Sequence, residues 1–179
     1  RPETEMLVDH IKNNFSNLEN VLDLGTGSGC IAIEISKLFE SATILGSDVC
    51  EKALKVAKKN NNQSNNKVNF IKSNWFSDIE GQFDLIVSNP PYIPEGTKLE
   101  ASTLFEPKVA LFSEETGLKD LKKIISEAIN YLKINGALIL EHGMGQSSEL
   151  SSYMKKIGYK NIGTLNDLKD INRFVYGYK

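Results

Sequence analysis

At 179 residues, with 40% hydrophobic and 25% charged side chains, the chain has the length for one domain with a single sizeable core. A net charge of −2 argues against nonspecific nucleic-acid binding, although 21 Lys and Arg leave room for a local basic patch. No apolar run reaches membrane-spanning length and no signal-peptide pattern opens the chain, while Cys30 and Cys50 lack metal-ligand spacing; a reducing, cytoplasmic setting without membrane or metal fits best.

Arg1-Pro2-Glu3-Thr4-Glu5 leads into Met6, Leu7, His10, Ile11 and Phe15 at helical spacing, with Thr4 as the expected cap. Val21-Leu22-Asp23-Leu24 reads as a buried strand ending at Gly25-Thr26-Gly27-Ser28-Gly29, and Ile31, Ile35 and Leu38 mark the helix that follows. Ala42 to Gly46 is a second strand closing at Ser47-Asp48, and Ala53, Leu54, Val56 and Ala57 mark a second helix. Asn60 to Asn66 reads as a solvated, Asn-rich connector. Val68 to Ile71 is a third strand, followed by Ser73-Asn74-Trp75-Phe76, and Phe83 to Val87 is a fourth. A long loop is expected from Asn89 to about Phe112, long enough to imply a function. Leu118 to Leu132 is a helix, Ile134-Asn135-Gly136 a turn, and Ala137 to Leu140 a fifth strand. A helix over Leu150 to Ile157 stops at Gly158, and strands near Tyr159–Leu165 and Arg173–Tyr178 flank a polar turn. The alternation predicts an α/β fold, a seven-stranded, mostly parallel sheet wrapped on both faces, with an antiparallel C-terminal edge pair.

Two stretches carry chemistry. The glycine turn lets backbone approach a ligand closely at a helix N-terminus, or is merely a tight strand-to-helix turn. Asp48, about 20 residues on, can take both hydroxyls of a ribose or simply cap the next helix. Gly27-Ser28-Gly29-Cys30-Ile31-Ala32 also matches the G-x-G-x-x-A dinucleotide pattern. Three features favour S-adenosylmethionine instead: Gly25 to Gly29 as a unit, Asp23 before it, and the exit from strand four. Trp75 reads equally as an adenine wall or as core filler, and Asn74 as a base contact or a turn residue. The fourth strand ends in Ser88-Asn89-Pro90-Pro91-Tyr92. Both prolines fix φ, remove an N–H donor and bias the preceding residue to extended geometry. The Asn89 side-chain oxygen and the Pro90 carbonyl can then converge on a planar NH2 group, with Tyr92 as a wall. Asn-Pro-Pro also occurs as a plain strand-ending turn.

Together these segments resemble the catalytic domain of the HemK/PrmC family, the release-factor glutamine methyltransferases, over essentially the whole chain. The glycine turn and Asn-Pro-Pro-Tyr are shared with other methyltransferases. Ser73-Asn74-Trp75-Phe76 and Glu141-His142-Gly143 also carry the resemblance, and the much more specific segments are Arg1-Pro2-Glu3-Thr4-Glu5 and Phe105-Glu106-Pro107 with Ala110-Leu111. The resemblance implies a Rossmann-like class I methyltransferase that uses S-adenosyl-L-methionine. It implies that Gly25, Thr26, Gly27, Ser28 and Gly29 hold the methionine part, Asp48 the ribose and Trp75 the adenine. Asn89 would bridge cofactor and substrate, and Asn89, Pro90, Pro91 and Tyr92 would grip the substrate glutamine, with Asn89, Pro90 and Tyr92 as the catalytic group. The implied partner is a peptide-chain release factor, methylated on its Gly-Gly-Gln glutamine in a bacterial cytoplasm or organellar matrix to support translation termination. Residues 1–179 are expected to be a single catalytic domain without the family's N-terminal helical substrate-binding domain.

Other polar residues read as structural: Asp84 in its strand, Glu141 and His142 in packing or loop hydrogen bonds, His10 on a helix face, and Glu106 as a loop organiser. Met6 and Met144 read as packing residues. Three rivals remain open here: an adenine-specific nucleic-acid methyltransferase, a nicotinamide oxidoreductase, and a non-catalytic methyltransferase fold that docks to a translation factor.

Overall fold

The structure, a computed structural model, describes residues 2–63, 67–94 and 112–179. In chain order these form α1 (Pro2–Asn14), β1 (Asn20–Leu24), α2 (Cys30–Leu38), β2 (Thr43–Asp48), α3 (Glu51–Gln63), β3 (Val68–Lys72) and β4 (Phe83–Ser88). The short strands β5 (Ile93–Pro94) and β6 (Phe112–Ser113) precede α4 (Glu114–Gly117), α5 (Lys119–Tyr131), β7 (Leu132–Glu141), α6 (Ser147–Ile157), β8 (Lys160–Asn166) and β9 (Asn172–Tyr178).

Seven strands make the main sheet in the order β3-β2-β1-β4-β7-β9-β8. The first five are parallel, and β9 runs antiparallel to both β7 and β8, as the sequence predicts. The central strands read as continuous apolar runs because both of their faces are covered. Val21, Leu85, Val87 and Ile139 pack under α1, α2 and α3 through Leu7, Ile11, Ile35 and Leu54. Leu22, Leu24, Ile86 and Leu138 pack on the other face against Leu121, Ile124 and Ile125 of α5 and Leu150 and Met154 of α6. Asp84 anchors the amino edge of this sheet, accepting from the Glu19 and Asn20 N–H groups at 3.0 and 2.8 Å and from Lys133 Nζ at 3.0 Å.

Four local readings need correction. Thr4 lies inside α1 rather than capping it, since the helix already includes Pro2, a residue that a first turn tolerates because its missing N–H has no intrahelical partner there. The Asn-rich stretch is helical through Gln63, and Asn61 is buried, pairing with both backbone groups of Val68 at 3.3 Å. Residues 134–136 lie within β7, where Asn135 has φ +63° and the register against β4 shifts. Their turn chemistry makes an irregularity in a strand rather than a loop. Ile93 and Pro94 pair with Phe112 and Ser113, so the predicted loop after Asn89 begins and ends in a two-stranded parallel ladder. Phe105, Glu106, Pro107, Ala110 and Leu111 lie outside the described residues. Among the described residues no helix is long and apolar enough to cross a membrane, and no His, Cys, Asp and Glu cluster is arranged for a metal.

Candidate active site

Strand register decides which residues meet at the carboxyl edge of the sheet. Leu24 is level with Ser47 of β2 and Ser88 of β4, and Ser88 is level with Leu140 of β7. Gly25, Asp48, Asn89 and Glu141, each one residue further on, therefore share one row. The Ser88 hydroxyl donates to the Leu24 carbonyl at 2.6 Å and ties the two central strand ends together. Strand order reverses between β1 and β4, the usual ligand position in an open α/β sheet.

The turn from Gly25 to Gly29 hangs from this row. Gly27 has φ +57°, and a Cβ added there would meet nothing within 4 Å, so bare backbone faces open space. Thr26 N–H donates to the Ser47 carbonyl at 2.8 Å. Gly27 N–H donates to Asp48 Oδ2 at 2.9 Å, and Cys50 N–H to Asp48 Oδ1 at 2.8 Å. Asp48 thus organises the turn, a duty that the sequence reading did not foresee. Each carboxylate oxygen keeps a second lone pair, so two ligand hydroxyls can still be accepted.

Asp23 lies beneath the turn with 1% exposure. Its Oδ2 accepts from Thr26 Oγ1 at 2.6 Å and Ala32 N–H at 3.2 Å, while its Oδ1 has no hydrogen-bond partner. Burial, opposed by the Thr26 and Ala32 hydrogen bonds and reinforced by the Asp48 charge, pushes the Asp23 carboxyl up to about 7. The two neighbouring carboxyl groups make an acceptor-rich acidic site, to which Asp23 adds negative charge once it gives up its proton. That suits a ligand bearing ammonium or sulfonium charge and a diol, and it disfavours a pyrophosphate.

A stability prediction follows from Asp23. Its proton is kept in the folded state but lost near pH 3.8 in the unfolded chain. The contribution is fully present below that value and is lost as pH rises through about 7. Asp23→Asn removes the titration. The variant should gain on the parent, in urea midpoints, as pH is raised from 5 to 8, by a swing on the order of 2 kcal/mol. A pH-independent difference between the two proteins would refute the shift.

Trp75 follows β3 with φ +54°, a conformation that costs a bulky residue about 1–3 kcal/mol and persists only when its surroundings enforce it. The Ser73 hydroxyl donates to the Trp75 carbonyl at 2.7 Å, and Asp78 N–H donates to Ser73 Oγ at 3.1 Å. The half-buried ring packs on the apolar layer beneath and comes within 3.5 Å of the place a Gly25 Cβ would occupy. The core contact expected of Trp75 is present, and the ring also lies beside the glycine turn. Asn74 is exposed, and its carbonyl accepts from Ser77 N–H and Oγ at 3.2 and 2.9 Å, the turn role.

Asn89 is half-buried at the end of β4, next in the row to Gly25, and Pro90 is buried behind it. The Tyr92 hydroxyl donates to Glu141 Oε1 at 3.2 Å, and the Tyr92 carbonyl accepts from Gln146 Nε2 at 3.1 Å. Tyr92, Ile93, Leu118, Met144 and Arg173 line a cavity of about 420 Å³ on the β7–α6 side, to which Gly25–Gly29, Asp48 and Trp75 do not contribute. Met144 is 74% exposed at the rim of this cavity, between two glycines, and is not a packing residue. His142 is buried, with Nδ1 2.8 Å from the Gly143 carbonyl, in keeping with a structural role. Glu141 and Gln146 were not foreseen as neighbours of Tyr92, since the β4–β7 register and the path of the loop into α6 bring them there. Cys30 and Cys50 are free and exposed.

Comparison with known proteins adds lineage to this geometry. The Methyltransferase small domain family matches residues 2–106. The release factor glutamine methyltransferase of Buchnera aphidicola subsp. Baizongia pistaciae is 39% identical over 184 aligned residues, covering 100% of this chain and 66% of that protein. The protein of the same name from Shewanella oneidensis is 38% identical, covering 99% of this chain and 64% of its own length. The chain therefore spans a little under two thirds of these relatives. Among solved structures, a methyltransferase from Pyrococcus furiosus superposes with a TM-score of 0.76 at 22% identity, covering 99% of this chain and 82% of the other. The magnesium protoporphyrin IX methyltransferase of Synechocystis PCC 6803 with bound SAM gives 0.67 at 15% identity, covering 99% and 78%. Those two likenesses establish a shared fold.

Proposed function

The chain belongs to the Methyltransferase small domain family, and on that premise we propose that it transfers a methyl group from S-adenosylmethionine to the side-chain amide nitrogen of the glutamine in the Gly-Gly-Gln motif of peptide-chain release factors. The observation that carries this reading is the shared row of Gly25, Asp48 and Asn89 at the sheet edge. It sets the glycine turn and Asp48 beside Asn89, which supports reading them as a cofactor cradle next to a pair of amide acceptors. The names of the full-length relatives point to the release factor as substrate. The place of action is then the bacterial cytoplasm or an organellar matrix, where release factors work.

The residues present fit the cofactor: Gly27 offers open backbone, Asp23 has an unsatisfied buried oxygen, and Asp48 retains lone pairs. Gly25 to Gly29 would hold the methionine part with Asp23 favouring its cationic charge, Asp48 the ribose hydroxyls, and Trp75 the adenine. When bound, S-adenosylmethionine supplies an electrophilic methyl group on sulfonium with a neutral thioether as leaving group.

An amide nitrogen is a weak nucleophile because its lone pair is delocalised into the carbonyl. In the proposed mechanism Asn89 Oδ1 and the Pro90 carbonyl each accept one N–H of the glutamine amide. Both bonds strengthen as positive charge grows on that nitrogen, which stabilises the transition state more than the ground state. Holding the nitrogen in line for direct displacement supplies the rest. The proton can leave after transfer, so no strong base is required of the chain.

Methyl transfer from labelled S-adenosylmethionine to a purified release factor tests this function. Label should enter the intact factor and vanish when its Gly-Gly-Gln glutamine is replaced. Label in an adenine-containing oligonucleotide would instead favour a nucleic-acid methyltransferase. Cofactor binding without label in either substrate would favour a docking module.

A further inference from the structure

The segment that leaves β4 cannot hold itself in place. Pro90, Pro91 and Pro94 lack donors, so residues 89–94 depend on what neighbouring elements give them. Tyr92 is one fixed point of the segment, beside the Ile93–Pro94 pairing with Phe112 and Ser113. Its carbonyl accepts from Gln146 Nε2 at 3.1 Å, while Gln146 Oε1 accepts from Gly143 N–H at 2.8 Å. A donor at one end and an acceptor at the other leave the Gln146 amide a single productive orientation. The same junction excludes a side chain at Gly117, whose φ is +83°. A Cβ there would run into the Tyr92 carbonyl oxygen and come within 2.9 Å of Gln146 Nε2. The end of α4 thus closes directly over the Gln146–Tyr92 bond.

We propose that Gln146 is a positioning residue for the proposed glutamine-amide acceptors, an inference that rests on the methyl-transfer reading for its kinetic consequence. Gln146 couples the β7–α6 loop to the main chain at Tyr92. Pro90 and Pro91, with φ fixed by their rings, remove torsional slack between that anchor and the Pro90 carbonyl and Asn89. Displacement at Tyr92 therefore reaches both acceptors, and misplacement by about 1 Å can cost about 10²-fold in rate. Gln146 touches neither substrate nor cofactor in this account; it acts through Tyr92.

Gln146→Glu is the informative variant. It keeps the acceptor toward Gly143 and the side-chain shape, but sets a carboxylate oxygen against the Tyr92 carbonyl. Gln146→Met, of similar length, deletes both polar contacts as a second test. Tyr92-Ile93 is the only Tyr-Ile pair in the sequence. Labelling tyrosine carbonyl carbon and isoleucine nitrogen therefore yields one backbone NMR correlation that reports the Tyr92 carbonyl. In both variants that carbon should shift upfield on losing the Gln146 donor. Turnover on the release factor should fall about 10–100-fold, with KM changed less and calorimetric affinity for S-adenosylhomocysteine unchanged. An unmoved carbonyl signal would overturn the clamp, and a moved signal with parental turnover would overturn its positioning role. If the parent itself labels no release factor, the functional reading has failed. The carbonyl shift in the two variants then still decides whether Gln146 anchors the loop.

Discussion

Asn89→Ala should lower turnover on the release factor by about 10²–10³-fold while leaving S-adenosylmethionine binding within a few-fold of the parent. Asn89 and Gly25 each follow the last paired residues of the β1–β4 register, which under the proposed function sets Asn89 where a reacting nitrogen would meet a cofactor held by the glycine turn. The alanine deletes one of two proposed acceptors, and the Pro90 carbonyl, being backbone, survives. The lost bond is the kind that matters for rate, because it strengthens only as the amide nitrogen acquires charge. The loss should fall on kcat and kcat/KM alike rather than on KM. Asn89→Asp, which keeps oxygen acceptors at that position, should retain more activity than alanine. Near-parental turnover in Asn89→Ala would sink the mechanism, whereas a collapse of cofactor affinity would recast Asn89 as a binding residue.

What could be read from the chain in advance follows from what is local. The ends of β1, β2 and β4 were legible because apolar runs stop at residues with distinctive backbone chemistry: glycines after Leu24, Asp48 after Ser47, prolines after Asn89. Once a parallel sheet is inferred, those ends must gather on its carboxyl edge. The contacts that organise the edge were not legible. Asp48 holding the Gly27 and Cys50 N–H groups, Asp23 under the turn, and Gln146 reaching Tyr92 all depend on register and on loop paths. Asn61 failed as a loop residue for a similar reason. Its neighbours are asparagines, and composition cannot reveal that one amide of the run is buried against both backbone groups of Val68. Trp75 was ambiguous in the sequence because its position is: a bulky ring at positive φ meets the core on one side and Gly25 on the other.

Asp48→Ala should weaken S-adenosylhomocysteine binding by about 10²-fold, and the harder question is why. Asp48 has two ways to matter. As a turn organiser it fixes Gly27 and Cys50 through charge-assisted bonds at 2.9 and 2.8 Å. As a ligand contact it would offer its remaining lone pairs to ribose hydroxyls, each such bond contributing about 1.5–3 kcal/mol. Affinity alone cannot separate these, but a cycle with the ligand can. Calorimetry would compare S-adenosylhomocysteine with its 2′-deoxy analogue on parent and variant. If Asp48 grips the diol, the parent prefers the hydroxylated ligand by roughly 10-fold or more, and the variant loses most of that preference. An equal loss for both ligands would mean that Asp48 works only through the glycine turn. At saturating cofactor the alanine variant should recover much of its turnover if only binding is lost, since Asn89 and Pro90 hang from β4 and owe their positions to a different strand. Turnover that stays depressed at saturation would show that the Asp48 bonds also set where the cofactor sits relative to Asn89.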